Sequence, residues 1–421
     1  VRYVFAILNR VLKLIVKTGS LTLIDVDGGR HQYGDGTGTP VTARITDRSV
    51  YWKLVVNSNF HLGEAYMDGG FVMEDGSIYD FLELCLSNME RHPAPEWINI
   101  PGALRYVTRR LQQFNPKGRS KRNVAHHYDL DGGLYDLFLD RDRQYSCAYF
   151  EAPDMSLDAA QLAKKRHLAA KLALKPGQRV LDIGSGWGGL GLYLAKTADV
   201  EVVGVTLSEE QYKLSNERAR EAGLSDRVDF RLADYRSLKE NFDRIVSVGM
   251  FEHVGVGHYR TFFNTARRLL ADDGVAVVHS IGRSDGPGTT NPWIAKYIFP
   301  GGYIPALSEV VPVIERTGLY VTDVEILRLH YAETLRNWRR RFLDNRERAR
   351  EIYDERFCRM WEFYLAASET AFRYQGMNNF QIQFARNQHA LPITRDYMWH
   401  EEDRLRSLDS ERNRPKSVPA E

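Results

Sequence analysis

Downstream of about residue 160 the chain alternates between two hydrophobic rhythms. Short, mostly apolar segments at 179–183, 201–205, 244–248 and 275–281, with the alternating Val228-Asp229-Phe230-Arg231-Leu232, predict strands of a sheet covered on both faces. Between them apolar residues recur at helical spacing. They predict a helix running to Leu174, one from about Gly188, one over 208–222 and one over 259–270. This alternation predicts an α/β fold, a doubly wound, mostly parallel sheet of Rossmann-like type. Residues 331–375 are predicted mostly helical and are rich in Arg, and 379–385 alternate as a late strand would.

The N-terminal part has a different pattern. Over 20–60, apolar segments such as Leu21-Thr22-Leu23-Ile24 are broken by Gly28-Gly29 and by Gly34 to Gly38, which predicts short strands and turns. Residues 77–92 read as a helix, so a smaller α+β N-terminal domain is expected. At the start, Val1, Val4, Phe5, Leu8, Val11, Leu12 and Ile15 share one helical face, with Arg10, Lys13 and Lys17 opposite. The charges rule out a spanning helix, which needs about 20 apolar residues, and make a poor signal peptide. Two readings remain: a helix lying on an anionic membrane surface, or one packed on its own domain.

Pro93, Pro95 and Pro101-Gly102 break the chain, and a basic stretch follows: Arg105, Arg109, Arg110, Lys117, Arg119, Lys121 and Arg122, without an acid. It reads either as a lipid-docking segment or as a solvated linker. No nucleic-acid-binding signature accompanies it. The expected domains are 1–114, a basic linker 115–124, a catalytic domain 125–400 and a charged, frayed tail 401–421. The net charge of +2 shows no global footprint for nucleic acid. Cys85, Cys147 and Cys358 form no CxxC pair, so neither a disulfide framework nor a metal site is expected, and a reducing cytoplasm suits them.

The sharpest local feature is Val180-Leu181-Asp182-Ile183-Gly184-Ser185-Gly186-Trp187-Gly188-Gly189, an apolar strand running into a glycine turn that opens a helix. Glycines let the chain turn sharply and let a ligand approach the main chain. In open α/β sheets a nucleotide sits at this turn. The third glycine comes one residue earlier than in the dinucleotide fingerprint, and Thr206 stands where an acid for the ribose would be. Both departures favour S-adenosylmethionine over a nicotinamide cofactor.

Further motifs sharpen this. His127-Tyr128-Asp129-Leu130 and Gln144-Tyr145-Ser146-Cys147-Ala148-Tyr149-Phe150 precede the turn. Gly204-Val205-Thr206-Leu207-Ser208 with Gln211, and Asp243 through Met250-Phe251-Glu252-His253-Val254-Gly255, follow it. His279-Ser280-Ile281-Gly282 and Trp293 through Phe299-Pro300-Gly301-Gly302 come next. In this order they resemble the cyclopropane-fatty-acyl-phospholipid synthases, closely over 125–390 and loosely through Leu62 to Gly69. Ser185 departs from the Cys of many members, and Asp131-Gly132-Gly133 from their Gly-Asn-Asp.

The resemblance implies a class I methyltransferase that adds a methylene unit from S-adenosylmethionine across the cis double bond of an unsaturated phospholipid acyl chain. It implies bound bicarbonate as base, held by Cys147, Glu252, His279, the backbone of Ile281, and Tyr331. It implies that Gly184, Ser185 and Gly186 underlie the cofactor's methionine and ribose. Thr206, Leu207 and Gln211 would hold the ribose and adenine side, Asp234 and Tyr235 would flank the adenine, and Tyr145 and Ser146 would cover the methionine. The expected setting is cytoplasmic, peripheral at the inner membrane surface, with a homodimer among the expected partners. Rival expectations are a lipid methyltransferase giving a methyl-branched chain and an inactive lipid-binding protein of the same fold. Aromatics from Trp293 to Tyr303 read as acyl-tunnel wall or as core. Arg336, Arg339, Arg340 and Arg341 read as headgroup contacts or as a solvated face.

Overall fold

A computed structural model describes residues 2–92 and 132–412. The proline break from Pro93, the basic stretch 105–122, the boundaries at 114 and 124, the run 127–131 and the end of the tail from 413 lie outside the described residues.

In chain order the first elements are α1 (Arg2–Ile15), β1 (Ser20–Ile24), β2 (Arg30–Tyr33), β3 (Pro40–Ile45), α2 (Ser49–Met67), β4 (Phe71–Asp75), α3 (Ile78–Arg91) and α4 (Gly132–Asp136). Next come α5 (Leu157–Leu172), β5 (Arg179–Ile183), α6 (Gly189–Ala198), β6 (Glu201–Thr206), α7 (Glu209–Glu221), β7 (Val228–Leu232), β8 (Phe242–Val248), α8 (Tyr259–Leu269) and β9 (Leu270–Arg283). The last are α9 (Pro292–Tyr297), α10 (Leu307–Arg316), β10 (Tyr320–Leu327), α11 (His330–Asp344), α12 (Arg346–Ile352), α13 (Glu355–Tyr374), β11 (Met377–Ala385) and α14 (Asp396–Arg412).

The chain divides into two compact units. One comprises 140–281, 308–327 and 379–421. Its sheet has the order β10-β11-β9-β8-β5-β6-β7. Strands β5 to β9 pair in parallel, and β10 pairs antiparallel with β11. The order reverses at β5, so this is the doubly wound sheet the alternating rhythm predicts, with a switch point beside the glycine turn. Its core runs through Leu168, Val180, Leu194, Val202, Phe230, Val246 and Val277.

The other unit comprises the chain up to Leu139 together with 282–307 and 328–378. It holds a four-stranded sheet, β2-β1-β3-β4, and the helices α11 to α13. The sequence reading had assigned 282–307 and 328–378 to the catalytic domain; by packing they group with the N-terminal strands. Ser77 and Asp80 form a capping box that starts α3.

Two expectations need correction. Residues 49–60 were expected to be strand and turn, but they open α2, which Asp47 starts by accepting from the Ser49 N–H at 2.8 Å. Val50, Tyr51, Trp52, Val55 and Val56 favour strands by type, yet burial of Val50, Tyr51, Ala65, Tyr66 and Met67 sets the helix instead. The frayed tail is also wrong as far as Arg412, because α14 is a formed helix. Leu405 and Met398 are buried in it, and its acids meet buried cations of α5: Glu402 with His167 at 2.5 Å, and Asp409 with Arg166 at 3.0 Å. Of the two readings of the α1 stripe, packing on its own unit is the one the burial supports. Leu8, Leu12 and Val16 are buried in their own unit, and Phe5 packs on Tyr51 at 5.1 Å.

Trp293 and Tyr303 are core residues of the same unit, with Trp293 edge-on to Phe363 at 4.8 Å. Of the four arginines on α11, Arg339 pairs with Glu369, Arg336 with Glu333, and Arg341 donates to the Leu139 carbonyl. Arg340 is exposed.

Candidate active site

The parallel strands end at the glycine turn, and everything expected of the cofactor side gathers there. Gly184 and Gly188 sit at φ +82° and +83°, and a Cβ on Gly184 would lie 2.8 Å from the Met250 Cβ. Only glycine fits such a position. Gly186 faces open space. The Ser185 hydroxyl is buried without a partner among the described residues. The Gly184 and Ser185 N–H groups donate to the Val205 carbonyl at 2.9 and 3.1 Å, which ties the turn to the end of β6. There Thr206 donates to Gln211 Oε1 at 2.8 Å, across half-buried Leu207, and Ser208 caps α7.

Past β7, Asp234 accepts from the Arg236 N–H and pairs with its guanidinium at 2.6 Å. The Ala233 N–H donates to the Thr206 carbonyl at 3.1 Å, so this corner adjoins β6. Tyr235 lies edge-on to Phe262 at 5.6 Å, and burial raises its phenol above the ordinary range.

The segment 140–147 crosses the same strand ends. A Cβ on Gly189 would lie 2.4 Å from Asp142 and Gln144, and one on Gly249 would lie 3.8 Å from the Ser146 Cβ. The segment is fastened to α5. Gln161 donates to the carbonyls of Gln144 (3.2 Å) and Ser146 (2.9 Å), Lys165 pairs with Asp142 at 2.5 Å, and Arg218 pairs with Asp142 as well. Tyr145 is half-buried within it and Cys147 is buried.

Beyond the glycine turn, β8 and β9 bring in the acid and the imidazole. The Gly249 N–H donates to the His279 carbonyl at 3.0 Å. Glu252, three residues after Gly249, accepts the Ile281 N–H on Oε1 at 2.7 Å. Its Oε2 is buried and has no hydrogen-bond partner of good geometry among the described residues. Burial pushes the Glu252 carboxyl up to about 7, against the pull of the Ile281 N–H, its own N–H and the Ser280 hydroxyl. Buried His279 is driven well below its ordinary range by desolvation, helped by the Lys164 and Lys171 cations. Its two ring nitrogens face amides of β11, Nδ1 against Gln381 at 3.0 Å and Nε2 against Asn379 at 3.2 Å. Cys147, Glu252, His279 and Ile281 thus belong to one unit. Tyr331, at the start of α11, belongs to the other, where it packs on Phe372 and Trp338 at 4.8 and 5.7 Å.

Sequence reasoning missed the supporting residues: Gln144, Gln161 and Lys164 around the segment, and Asn379 and Gln381 around His279. The available signal was polar residues where apolar ones belong. Every residue of α5 from Ala163 to Leu172 is buried, Lys164, Lys165, Arg166, His167 and Lys171 included. Along β11 the polar members of the alternation are buried too.

A doubly wound sheet with this turn at its switch point defines a class I S-adenosylmethionine-dependent methyltransferase. The family described as mycolic acid cyclopropane synthetase matches residues 115–382. The cyclopropane-fatty-acyl-phospholipid synthase of Escherichia coli K12 is 39% identical over 82% of this chain and 88% of its own. A probable fatty acid methyltransferase of Pseudomonas putida is 36% identical over 88% of this chain and 94% of its own. Among solved structures, the Mycobacterium tuberculosis cyclopropane synthase MmaA2 superposes with a TM-score of 0.61 at 34% identity, over 65% of this chain and 99% of that one. The mycolic acid cyclopropane synthase CmaA1, complexed with S-adenosylhomocysteine and CTAB, does so with a TM-score of 0.60. This chain belongs to the mycolic acid cyclopropane synthetase family of methyltransferases.

Proposed function

We propose that this chain transfers a methylene unit from S-adenosylmethionine to the cis double bond of an unsaturated phospholipid acyl chain, closing a cyclopropane ring. The observation that carries the proposal is Glu252, a fully buried carboxyl beside the β8–β9 strand ends, raised to about 7 by its burial although the Ile281 N–H and the Ser280 hydroxyl pull it down. An alkene is a poor nucleophile, and methyl delivery leaves positive charge on carbon. The reaction therefore needs dry walls and a base that is not an ionised protein carboxylate, which the cation would alkylate. Glu252, poised near neutrality by its burial, presents an O–H to an anion when protonated, and in that form it is not a nucleophile. Bicarbonate, when bound, supplies the base. Cys147, Glu252, His279, the Ile281 backbone and Tyr331 would hold it, and the buried Oε2 of Glu252, which makes no well-aligned hydrogen bond among the described residues, is the clearest fit. Ile281 and His279 would join by exchanging the internal hydrogen bonds they now make. Tyr145, Ser146, Gly184, Ser185, Gly186, Thr206, Leu207, Gln211, Asp234 and Tyr235 would hold S-adenosylmethionine.

The proposal includes peripheral association with an anionic inner membrane surface, and a homodimer. Tyr3 and Ile7 on α1 and Trp52 and Val56 on α2 are exposed. Residues 1–24 and 48–63 contain no Asp or Glu but carry Arg10, Lys13, Lys17, Arg48 and Lys53. Such a surface suits anionic lipid. Among the described residues no helix is long and apolar enough to cross a membrane. A second reading is acyl-chain methylation without ring closure, giving a methyl-branched chain; the similar Pseudomonas putida protein is described only as a probable fatty acid methyltransferase.

The test is on product. The purified protein is incubated with S-adenosylmethionine and vesicles of a monounsaturated phospholipid, with and without bicarbonate, and the released fatty acids are weighed. The expected result is a gain of one CH₂ with loss of the alkene, stimulated by bicarbonate. A branched chain with a retained or shifted alkene would move the protein to the second reading. An unchanged mass despite bound S-adenosylmethionine would reject both.

A further inference from the structure

Lys164 is one of the most deeply buried cations in its unit, at 1% exposure, and nothing above gives it a task. Its ammonium makes two hydrogen bonds, to Gln144 Oε1 at 2.7 Å and to Ser146 Oγ at 2.8 Å. Both acceptors are neutral. Burying a charge without a bonded counter-ion is costly, and an apolar side chain would pack here at far less expense. Burial lowers the Lys164 ammonium to about 8, even with Asp140 pulling it back up. Asp182, in the strand that leads to the glycine turn, is pushed up to about 7 by its own burial, and Lys164 acts against that shift.

What the cation touches explains its retention. Gln144 also donates to Asp142 at 3.1 Å, and both lie where a Cβ on Gly189 would be, at the mouth of the glycine turn. Ser146 lies over Gly249, whose N–H is bonded to the His279 carbonyl. Cys147 is the next residue and within electrostatic reach of Lys164. One buried side chain therefore fixes the two ends of the segment that runs from the cofactor turn to the β8–β9 corner.

We infer that Lys164 is a positioning residue that holds the Gln144–Cys147 segment over the S-adenosylmethionine site and thereby sets cofactor affinity. The inference rests on the proposed role of Tyr145 and Ser146 at the cofactor. Deprotonation does not release the segment, because a neutral amine still has N–H groups for both acceptors.

The test compares three variants with the wild type by calorimetric titration with S-adenosylmethionine, by steady-state kinetics and by thermal melting. Lys164→Met keeps the length and removes both bonds. It is expected to raise the Kd and the KM for S-adenosylmethionine roughly tenfold, with a smaller fall in kcat at saturating cofactor. Gln144→Met leaves the lysine in place, removes one acceptor and is expected to raise Kd about threefold. It stands in should Lys164→Met not fold. Lys171→Met, on the same helix as Lys164, breaks the ion pair of buried Lys171 with Glu325 of β10. It is expected to lower the melting temperature while leaving Kd unchanged. Folded Lys164→Met and Gln144→Met proteins with wild-type Kd would overturn the inference. A Kd shift in Lys171→Met as large as in Lys164→Met would also overturn it, reducing the effect to general loosening of α5. A wild type that binds no S-adenosylmethionine would overturn both this inference and the function it rests on.

Discussion

The two halves of the seven-stranded sheet are built on different principles. On the β5–β6–β7 side, the site is a turn of glycines and backbone groups whose geometry is nearly all local. Gly184, Ser185 and Gly186 follow one another, and Thr206 and Gln211 lie within one strand-to-helix corner. On the β8–β9–β11 side, the site is made of buried titratable side chains brought together from distant segments. Glu252 meets the backbone of Ile281, and His279 meets Asn379 and Gln381 about a hundred residues further on. The first half is tied together mostly by backbone hydrogen bonds, the buried Ser185 hydroxyl excepted. The second holds a carboxyl raised by burial and an imidazole driven towards neutrality, the state expected where chemistry is done. If so, a lesion on one side should spare the function of the other.

The largest expected effect is on the side-chain half. Glu252→Gln preserves shape but removes the acid proton and the carboxyl's ability to titrate. Turnover is expected to fall by about 10²-fold or more, with the Kd for S-adenosylmethionine within about twofold of wild type. Stopped-time assays of lipid product beside cofactor titration would read the split. Equal losses in both would break the comparison.

Next in size is a pH effect on stability. Burial raises the Glu252 carboxyl in the folded state from 4.5 to about 7. Between those values the folded protein binds the proton and the unfolded chain does not, so stability is lost as pH rises from about 4.5 to 7 and levels off above. The contribution is at most about 3 kcal/mol, because desolvation of buried groups relaxes in practice. Asp182 is raised to about 7 by the same cause and titrates in the same window. The Glu252→Gln protein isolates Glu252: its unfolding free energy should fall less than the wild type's over this range. Parallel curves for the two proteins would show that Glu252 is ionised at neutral pH.

On the main-chain half, Gly184→Ala is expected to cost less. The alanine must hold φ near +82° and crowd the Met250 Cβ at 2.8 Å. A penalty of about 1–2 kcal/mol is expected, shared between stability and roughly tenfold weaker cofactor binding, with kcat at saturating cofactor close to wild type. A tighter or unchanged Kd would mean that the turn does not carry the cofactor.

This contrast also explains what the sequence disclosed. The glycine turn, the alternating strands and helices around it and the corner at Thr206 were legible because each is a short-range pattern in which backbone conformation demands particular residues. Strands 179–183 and 228–232 have the bounds the hydrophobic pattern gave them. The acid and the imidazole were legible only through resemblance, since a lone Glu252 or His279 carries no local mark. The partners of His279 were not legible, because 379–385 alternates whether its polar face meets solvent or a buried ring. The α14 helix was missed for the mirror reason: its charges looked solvated, yet Glu402 and Asp409 answer the buried His167 and Arg166 of α5. Alternation and charge report which residues face together, but not what they face.

The smallest expected effect concerns how His279 is held. A neutral imidazole has one N–H and one lone pair. Asn379 Nδ2 and Gln381 Nε2 stand against its two nitrogens, while Asn379 Oδ1 and Gln381 Oε1 are buried without partners. Two amino groups cannot both be satisfied by one neutral ring. Turning one amide end for end gives the ring N–H a carbonyl oxygen and relieves one buried orphan. Whichever amide turns decides which nitrogen carries the proton, so β11 holds the ring neutral in the tautomer that this turn sets. Nitrogen-15 spectra of a histidine-labelled protein should show that tautomer unchanged from pH 5 to 9, since burial keeps the ring from protonating. Replacing Gln381 with Leu should cost about 1–2 kcal/mol of stability and let the second tautomer appear, with cofactor affinity untouched. A ring that titrates near its ordinary value in the wild type would mean that water reaches this corner, and the dry, side-chain-built half of the sheet would then be no drier than the half built of main chain.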